Sequence, residues 1–385
     1  MTNNLTADKQ QRYQLLQSWL YQCFPEFDIQ IKSLPGDASF RRYHRLCLQP
    51  NSHVSDTAVQ NGEQPVNNSL NYIVMDAPPE LESISEFVAV GELLGTCINV
   101  PDIIAKDMEH GFLVLQDFGT TEFAHIVADT SQEQVDSYYK RAIDTLLELQ
   151  TISLSQARQQ ANLPDYDAAM LTREMDLFSE WFIPYIGVRF ESEQQQCWQA
   201  LKEAIVEQVL TQPQVVVHRD YHSRNLMKDC ASSDQLGVID FQDAVIGAYS
   251  YDLVSLLRDA YVDWSEAQIA DWLDYYCQQL SSKTIAADTA GVTLQQLTYD
   301  INIIGIQRHL KILGIFVRLS ERDGKSRYLA DIPKVMSDLT IELNWLSQQS
   351  ELPIHKVALA FKQWLDQDIL PAFERKFNQR TSDNN

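Results

Sequence analysis

The spacing of apolar residues along the chain changes near residue 115. Before that point, short runs of β-branched and aromatic residues alternate with turn-forming segments, which predicts a group of β-strands. An amphipathic helix is predicted in front of them at 8–24, and a second helix among them at 83–94. The predicted strands lie at 29–31, 41–48, 72–75, 103–105 and 112–115.

After residue 115, most apolar residues recur at three- and four-residue intervals, which predicts helices. The exceptions are the β-branched run Val215–Val217, which predicts a buried strand, and two short apolar segments around a polar turn. These segments, Leu226–Lys228 and Leu236–Ile239, predict a hairpin. The predicted helices lie at 131–150, 168–185, 190–211, 250–262, 265–281, 294–320 and 355–377.

The order of these elements predicts an α+β protein of two lobes. Residues 1–115 would form a small β-rich N-terminal lobe, residues 116–119 a hinge, and residues 120–385 a larger, mainly helical C-terminal lobe. Residues 50–71 are rich in Asn, Ser, Gln and Asp, so we expect a mobile insertion there.

Composition narrows the possible partners. The chain has 385 residues, 45% of them hydrophobic, which suffices for a substantial core. It carries 30 basic and 53 acidic residues, for a formal net charge of −23. Because nucleic acids and anionic membranes attract positively charged surfaces, both are excluded as expected partners. No obligate protein partner is evident in the sequence.

The cysteines and the N-terminus predict a cytoplasmic protein. Six cysteines are scattered without a CxxC or other ligand spacing, which is typical of reduced thiols. The polar N-terminus, MTNNLTADKQQ, lacks the apolar segment of a secretion signal. Charged residues interrupt the most apolar long stretch, 301–319, which argues against a membrane-spanning helix.

One segment carries the candidate chemistry. Residues 218–225 read HRDYHSRN, and Asp240 follows in VIDFQD. This order and spacing of residues is what a kinase-like phosphotransferase needs. One carboxylate, here that of Asp220, can accept the proton of an attacking hydroxyl. Asn225 and Asp240 can supply oxygen ligands for a Mg²⁺ ion that bridges the phosphates of ATP. The predicted hairpin would bring both to the same end of its ladder.

Each of these residues also has a structural explanation when it is considered alone. An aspartate after a valine run usually forms a turn or a helix cap, and a single histidine is more often a hydrogen-bonded core residue. The order and spacing of Asp220, Asn225 and Asp240 together favour phosphoryl transfer. Three polar groups clustered at one strand end would destabilise the fold, so stability alone does not explain them. The predicted hinge, with Gln116, Asp117 and Phe118, would then offer backbone groups to an adenine edge.

Several segments resemble the aminoglycoside phosphotransferase and choline kinase superfamily, whose fold is like that of protein kinases. The segments read HRDYHSRNLM, GVIDFQDAVIGAYSYDLVSLLRD, LPGDASFRRYHR, YIVMDAPPE and QRHLKILGIFVRLSERDGKSRYLADIP. They are most similar to the bacterial anomeric kinases of N-acetylmuramate and N-acetylglucosamine, which serve peptidoglycan recycling. The resemblance spans about residues 12–375. It implies ATP and Mg²⁺ as cofactors and phosphorylation of the C1 hydroxyl of the amino sugar.

The resemblance implies a role for each matching residue. Asp220 would be the catalytic base, and Asn225 and Asp240 would be the Mg²⁺ ligands. His218 would brace the catalytic loop. Asp252 would accept hydrogen bonds from that loop, although an N-cap of the following helix explains it equally well from the sequence.

Two features depart from the protein-kinase pattern. A single glycine, Gly36, stands where several would cover the phosphates, so backbone N–H groups and the Ser39 hydroxyl would have to bind them. The third strand, YIVMDAPP, contains no basic residue to pair with phosphates. Arg41 or Arg42 would supply that charge, and an ordinary pair of solvated surface arginines is the alternative.

The predicted helix at 294–320 contains candidate substrate contacts. Arg308, Lys311 and Arg318 fall on a different side from its apolar stripe, and in so acidic a chain this basic stripe could receive the lactyl carboxylate of N-acetylmuramate. A solvated basic face is the alternative. His222 and Arg224, in the catalytic segment, are further candidates for contact with the sugar.

Two other functions stay open at this point. An aminoglycoside or other small-molecule kinase would use the same catalytic residues, although a polycationic substrate would favour a carboxylate-lined pocket. The missing third-strand lysine also leaves room for a non-catalytic kinase-like scaffold.

Overall fold

The alternating N-terminal segments form an antiparallel sheet in the computed structural model. Its strands are β1 Phe27–Ser33, β2 Arg42–Pro50, β3 Leu70–Asp76, β4 Ile103–Asp107 and β5 Phe112–Gln116. The sheet has the order β1-β2-β3-β5-β4, and all neighbours are antiparallel. The five predicted strands are therefore confirmed, each within two residues of its predicted ends.

The first helix covers one face of this sheet. Side chains alternate across a strand, so each face carries every second residue. Helix α1, Thr2–Cys23, contributes Leu16 and Leu20 to the layer between helix and sheet. The sheet contributes Leu46, Leu48, Val74, Phe112 and Val114. All seven side chains are fully buried, and each stabilises the fold by roughly 1.5–3 kcal/mol through loss of contact with water.

The structure describes residues 2–35, 40–51, 69–230, 235–283, 285, 289 and 291–383, without the side chains of 2–9 and 379–383. Most of the predicted insertion at 50–71 lies outside these residues. The chain divides into two compact units. The first unit contains Met1–Thr120 and Lys228–Gln242, and the second contains Thr121–Met227 and Asp243–Asn385.

A second helix of the first unit, α2, spans Ser85–Leu94. The ring of Phe87 lies 4.8 Å from the ring of Phe241, measured between centroids. Gly91 makes this approach possible, because a Cβ atom at that position would lie only 3.2 Å from the Phe241 ring. Phe241 therefore fastens the segment that follows Asp240 onto α2.

The second unit is mainly helical, and its long helix α11 is buried along most of its length. Several helices begin at side-chain caps: Ser131 and Ser265 each form a reciprocal capping box with a glutamine three residues later. The helices are α3 Phe123–Ala128, α4 Gln132–Leu149, α5 Leu154–Ala161, α6 Ala168–Leu177, α7 Ile183–Ile186, α8 Ser192–Thr211, α9 Tyr251–Leu257, α10 Glu266–Ser282, α11 Leu294–Glu321, α12 Ile332–Ser347, α13 His355–Trp364 and α14 Leu370–Asp383.

Four short strands frame the catalytic segment. Strands β6 (Gln214–Val217) and β9 (Val245–Ala248) pair antiparallel, and this pairing was not predicted from the sequence. Strands β7 (Leu226–Lys228) and β8 (Leu236–Val238) form a separate two-stranded sheet, which confirms the predicted hairpin.

Some predicted helices differ from the observed ones. The helices expected at 168–185 and 355–377 are each interrupted by a π-helical turn, at Phe178–Phe182 and Leu365–Ile369. Helix α12 was not predicted from the sequence, in which Pro333 is a residue that usually interrupts a helix. Proline fits there because the N–H groups of a first helical turn need no partner within the helix. In the part of the chain that the structure describes, none of the helices has the length and hydropathy needed to cross a membrane.

Candidate active site

The predicted catalytic segment forms the loop between β6 and β7. The carboxylate of Asp252, in the first turn of α9, accepts hydrogen bonds from the backbone N–H groups of His218 at 2.6 Å and Arg219 at 3.0 Å. Ser250 is the N-cap of α9, so the N-cap alternative for Asp252 is wrong. Burial raises the pKa of Asp252 to about 7, although the two backbone donors act against this shift. His218, fully buried, accepts a hydrogen bond at Nδ1 from the N–H of Asp220 at 3.2 Å.

Arg219 gives the loop a sharp turn. Its φ angle of 74° lies in the left-handed region, which costs a residue with a side chain about 1–3 kcal/mol and is typical of functional sites. Its guanidinium forms an ion pair with Glu174 of α6 and lies 5.5 Å from the centroid of the Tyr166 ring. Glu174 also accepts a hydrogen bond from the Tyr166 hydroxyl. These contacts hold the strained turn in place.

A buried lysine contributes to the charge around Asp220, the candidate catalytic base. Lys311 of α11 lies 3.1 Å from Oε1 of Glu174 and donates a 3.2 Å hydrogen bond to the hydroxyl of Tyr251. Burial raises the pKa of Asp220, but the surrounding positive charges, that of Lys311 foremost, more than offset it. The pKa of Asp220 therefore lies below its ordinary value, and the side chain is a carboxylate at neutral pH.

Asp220 and Lys311 line a cavity of about 190 Å³ within the second unit. Arg219, His222 and Arg308 also line it, and the remaining lining residues are apolar or aromatic. These include Tyr261, Ile312, Phe316 and Tyr328. Pockets for drug-sized ligands measure roughly 300–1,000 Å³, so this cavity suits a single sugar ring better than a chain of rings.

Three nitrogen atoms of residues that line the cavity lack a hydrogen-bond partner among the described residues: Nη1 of Arg308, Nδ1 of His222 and Nε of Arg219. A buried polar atom without a partner costs about 1–3 kcal/mol, so these atoms are suited to receive a ligand. Burial lowers the pKa of His222, so its ring is neutral at pH 7. The alternative of a solvated basic face is wrong, because Arg308 is 5% exposed and the Lys311 side chain 11%.

Arg224, the other substrate candidate, is exposed and does not line the cavity. Its guanidinium carbon lies 3.5 Å from the centroid of the Tyr261 ring, which does line the cavity. Arg224 therefore contacts a residue of the cavity wall without lining the cavity itself.

Sequence reasoning missed three residues that organise this site. Asp259 is fully buried and accepts hydrogen bonds from the N–H groups of Ser223 at 2.8 Å and Tyr261 at 3.0 Å. Its position two residues after the last apolar residue of α9 could have revealed it, because an acid so close to a buried helix needs a partner. Glu174 and Tyr251 gave no such signal, since each occupies an ordinary helical position.

The two candidate metal ligands lie in different units, Asn225 in the second and Asp240 in the first. Asn225 donates from Nδ2 to the carbonyl oxygen of Asp220 at 2.9 Å. Asp240 has a φ angle of 65°, and its Oδ1 accepts a hydrogen bond from Nε2 of Gln242 at 2.9 Å. Among the described residues, no group of three or more His, Cys, Asp and Glu side chains could hold a metal. Carboxylate and carboxamide oxygens are nevertheless donors that suit Mg²⁺.

The candidate phosphate contacts lie at the start of β2. Ser39 lies outside the described residues. Arg41 is 8% exposed and forms an ion pair with Glu82, so it is not a solvated surface arginine. The Arg42 side chain is 40% exposed, and its Nη1 lies 3.9 Å from Oδ2 of Asp76.

The predicted hinge follows β5 within the first unit. Gln116 donates its backbone N–H to the carbonyl oxygen of Asp102 at 2.9 Å. The carboxylate of Asp117 accepts bonds from Nε of Arg45 at 2.7 Å and from the N–H of Gly119 at 2.8 Å. Phe118 is buried. The hinge side chains are thus engaged within the first unit, and a nucleotide would have to use backbone groups.

Solved structures with a similar fold include kinase-like proteins. An ADP-bound aminoglycoside phosphotransferase matches with a TM-score of 0.51 at 12% identity, covering 85% of this chain and 97% of the other. A Plasmodium vivax ethanolamine kinase matches with a TM-score of 0.52 at 13% identity, covering 86% and 83%. At such low identity these matches show the fold alone, and they confirm the predicted fold class.

Sequence comparison gives the family. The model described as "Phosphotransferase enzyme family" matches residues 30–287, and the chain belongs to this family. A Pseudomonas putida relative named N-acetylmuramate/N-acetylglucosamine kinase is 39% identical over 301 residues, 78% of this chain and 79% of the relative. Proteins of the same name from Pseudomonas aeruginosa and Neisseria meningitidis are each 36% identical. These alignments cover 84% and 86% of this chain and 89% and 90% of the relatives, and they confirm the resemblance predicted from the sequence.

Proposed function

We propose that the protein transfers the γ-phosphoryl group of ATP to the C1 hydroxyl of N-acetylmuramate and N-acetylglucosamine, as a step in cell-wall recycling. The relatives that carry this name align with most of the chain. The observation that carries the proposal is the cavity in the second unit, where Asp220 lies beside Arg308 and Lys311 in a volume of about 190 Å³. A single sugar with one carboxylate matches that size and charge.

Asp220 orients the sugar hydroxyl and takes its proton. Its lowered pKa keeps it ionised but makes it a weak base. A weak base is sufficient, because the transition state of phosphoryl transfer is loose and the nucleophile is deprotonated late. General-base assistance contributes roughly 10²–10⁴-fold to the rate. The bonds from Asp252 to the loop keep Asp220 in position.

The nucleotide and its metal ion would be held by the remaining motif residues. Asn225 and Asp240 would bind Mg²⁺ through oxygen atoms, and the phosphates and water would complete its coordination. The ion neutralises charge on the transferring phosphoryl group. The hydrogen bond from Asn225 to the backbone of Asp220 links the metal ligand to the catalytic base. Backbone groups at 116–119 would pair with the adenine edge.

Arg308 would distinguish the two sugars. Its Nη1 is buried at the cavity without a partner among the described residues. N-acetylmuramate carries a lactyl carboxylate that can accept this donor, whereas N-acetylglucosamine carries a hydroxyl at the same carbon. Charged hydrogen bonds contribute about 1.5–3 kcal/mol, so the arginine favours the acidic sugar.

A panel of acceptors tests the proposal. The protein is incubated with Mg²⁺–ATP and N-acetylmuramate, N-acetylglucosamine, glucosamine or kanamycin, and products are identified by ³¹P NMR. We expect sugar 1-phosphates from the two N-acetyl sugars and no phosphorylated kanamycin. Among the described residues that line the cavity, Asp220 is the single carboxylate, which suits a polycation poorly. Phosphorylation of kanamycin alone contradicts the proposal.

Asp220→Asn separates an enzyme from a non-catalytic scaffold. The amide keeps the size of the side chain but cannot accept the proton, so we expect turnover to fall by roughly 10²–10⁴-fold. Nucleotide affinity should stay close to that of the parent. Turnover is measured by coupled release of ADP and affinity by calorimetry. Equal turnover in the variant and the parent contradicts a catalytic role for Asp220.

A further inference from the structure

Strand β3 offers no basic side chain to the phosphates of a nucleotide, and two adjacent arginines at the start of β2 could replace it. We infer that Arg41, held by Glu82, is the phosphate-binding cation of this enzyme and that Arg42 is not. The inference rests on the proposed function, since it names a nucleotide contact of the same reaction.

The strand register places Arg42 on the face of the sheet that α1 covers. Arg42 is the cross-strand partner of Asp76, and Asp76 is bound by Nε of Arg12 from α1 at 2.6 Å. Arg12 also donates to the carbonyl oxygen of His110 at 2.8 Å. Two residues before Asp76, Val74 packs in the layer beneath α1. Arg42 therefore adds charge to a structural contact between α1 and the sheet.

Arg41 directly precedes β2, and the alternation of side chains along that strand, continued by one residue, would direct Arg41 to the opposite side from Arg42. It is 8% exposed and forms an ion pair with Glu82, whose side chain is 23% exposed. Glu82 lies in the short segment that leads into α2. The two arginines, although adjacent, thus belong to different surroundings.

Helix α2 connects this ion pair to the proposed metal ligand. Phe241, the residue after Asp240, packs against Phe87 and Gly91 of α2. The segment that carries Glu82 enters the N-terminal end of the same helix. Arg41 and Asp240 are therefore both held through α2, and both are groups that a Mg²⁺–nucleotide requires.

The ion pair of Arg41 with Glu82 resembles the lysine–glutamate ion pair of protein kinases, although its residues come from different elements. In protein kinases a β3 lysine binds phosphates while a glutamate from a neighbouring helix holds it. Here the cation comes from the start of β2 and the acid from the segment before α2. An arginine suits this place because it stays charged when buried and binds phosphate oxygens through two donors at once.

Nucleotide binding without sugar tests the inference. Dissociation constants of Mg²⁺–ATP and of adenosine are measured by calorimetry for the parent, Arg41→Met, Arg42→Met and Glu82→Gln. We expect Arg41→Met to weaken ATP binding by roughly 10- to 100-fold, the usual effect of losing charged hydrogen bonds, and to leave adenosine binding unchanged. Arg42→Met, the matched variant one residue away, should change both affinities by less than about twofold, because it lies on the other face.

The inference is overturned if Arg42→Met shows the selective loss of ATP affinity, or if Arg41→Met weakens ATP and adenosine equally. Should Arg41→Met not fold, Glu82→Gln decides: a selective loss of ATP affinity supports the inference, and unchanged affinity contradicts it. These affinities are independent of the acceptor. If ATP binds but neither N-acetyl sugar is phosphorylated, the proposed function fails while the assignment of Arg41 is still decided by the same measurements.

Discussion

Burial and charge act in opposite directions on the two aspartates of the catalytic loop. Asp220 lines the same cavity as Lys311, and the surrounding positive charges, that of Lys311 foremost, together more than offset the effect of burial on its pKa, so this carboxylate is ionised at neutral pH. Asp252 is more completely buried, and its pKa rises to about 7 despite two backbone donors. Under the proposed function the first acid takes part in the chemistry, while the second holds the loop through its two backbone donors.

The role of Arg308 can be tested against a second arginine on the same helix. We expect Arg308→Ala to lower kcat/KM for N-acetylmuramate by roughly 10- to 100-fold, through loss of a charged hydrogen bond, and for N-acetylglucosamine by much less. Arg318→Ala is the matched control, because Arg318 lies on α11 but does not line the cavity. Steady-state kinetics with both sugars measures the effect. Equal losses for the two sugars in Arg308→Ala contradict carboxylate binding.

Asp300 predicts a pH dependence of stability that is separate from catalysis. Its buried carboxylate accepts hydrogen bonds from Tyr249 at 2.8 Å and Gln296 at 2.9 Å, yet burial raises its pKa from 3.8 to about 6. Between these two values the unfolded chain releases a proton that the folded protein keeps, so the stability contribution of this group falls as pH rises from about 4 to about 6.

We therefore expect Asp300→Asn to gain stability relative to the parent over that pH range, by roughly 2–3 kcal/mol in total. Urea unfolding of both proteins at pH 4.5, 5.5, 6.5 and 7.5 measures the difference. All other titrations are shared by the two proteins and cancel. A difference that stays constant with pH, or that changes with the opposite sign, contradicts the shift.

Among the elements, α11 organises the second unit because it is buried on nearly every side and still presents two charged residues to the cavity. Its glycines permit this dense packing. A Cβ atom on Gly314 would lie 2.3 Å from the backbone carbonyl of Leu177, at the end of α6. A Cβ atom on Gly305 would lie 2.0 Å from Oε1 of Glu342 in α12.

Gly314→Ala should destabilise the protein although alanine favours helices. The intrinsic gain is about 1 kcal/mol, but backbone atoms of Leu177 cannot move aside as a flexible side chain would. We expect a net loss of about 1–3 kcal/mol in the free energy of unfolding, as for other overpacked sites. Gln295→Ala, at an exposed position of the same helix, is the control and should be neutral. Thermal unfolding monitored by circular dichroism compares the two, and an increase in stability for Gly314→Ala contradicts the packing argument.

The elements also show what the sequence could and could not predict. Strands β1 to β5 and most long helices were predictable, because the spacing of apolar residues or a short β-branched and aromatic run between turn-forming segments is a local signal. The π-helical turns at Phe178–Phe182 and Leu365–Ile369 were not, because Phe178 and Phe182 continue the helical apolar spacing while they pack into the core. The pairing of β6 with β9 depends on contacts distant in sequence, which a local pattern does not record.

The candidate site also combines residues that local sequence can indicate with residues that it cannot. Asp220, Asn225 and Asp240 were predicted from their order and spacing, which a motif preserves. The roles of Glu174 and Asp259 depend on which backbone and side-chain groups the fold brings to them, so they became visible only in three dimensions. Arg308 was proposed as a substrate contact because of its charge. Its burial was not predictable, because the sequence of its helix has the pattern of an amphipathic surface helix.

At the scale of the whole molecule, the motif residues are divided between two compact units. Asp220 and Asn225 belong to the second unit, and Asp240 belongs to the first. The candidate sugar cavity, in contrast, is lined entirely by residues of the second unit. An acceptor bound in this cavity, as proposed, would need no contact with the described residues of the first unit's sheet.

Hydrogen exchange can test this separation, because a ligand slows exchange where it stabilises the local structure. N-acetylmuramate added without nucleotide should protect amides in 218–225, 251–261 and 308–328, which contain the cavity-lining residues. The strands within 27–116 should exchange at the rate of the free protein, since none of their residues lines the cavity. Arg308→Ala, at the same sugar concentration, should lose most of this protection because the carboxylate contact is missing. Protection of β1 to β5 by the sugar alone would place the acceptor outside the second unit, and Asp220 could then not act on it from this cavity.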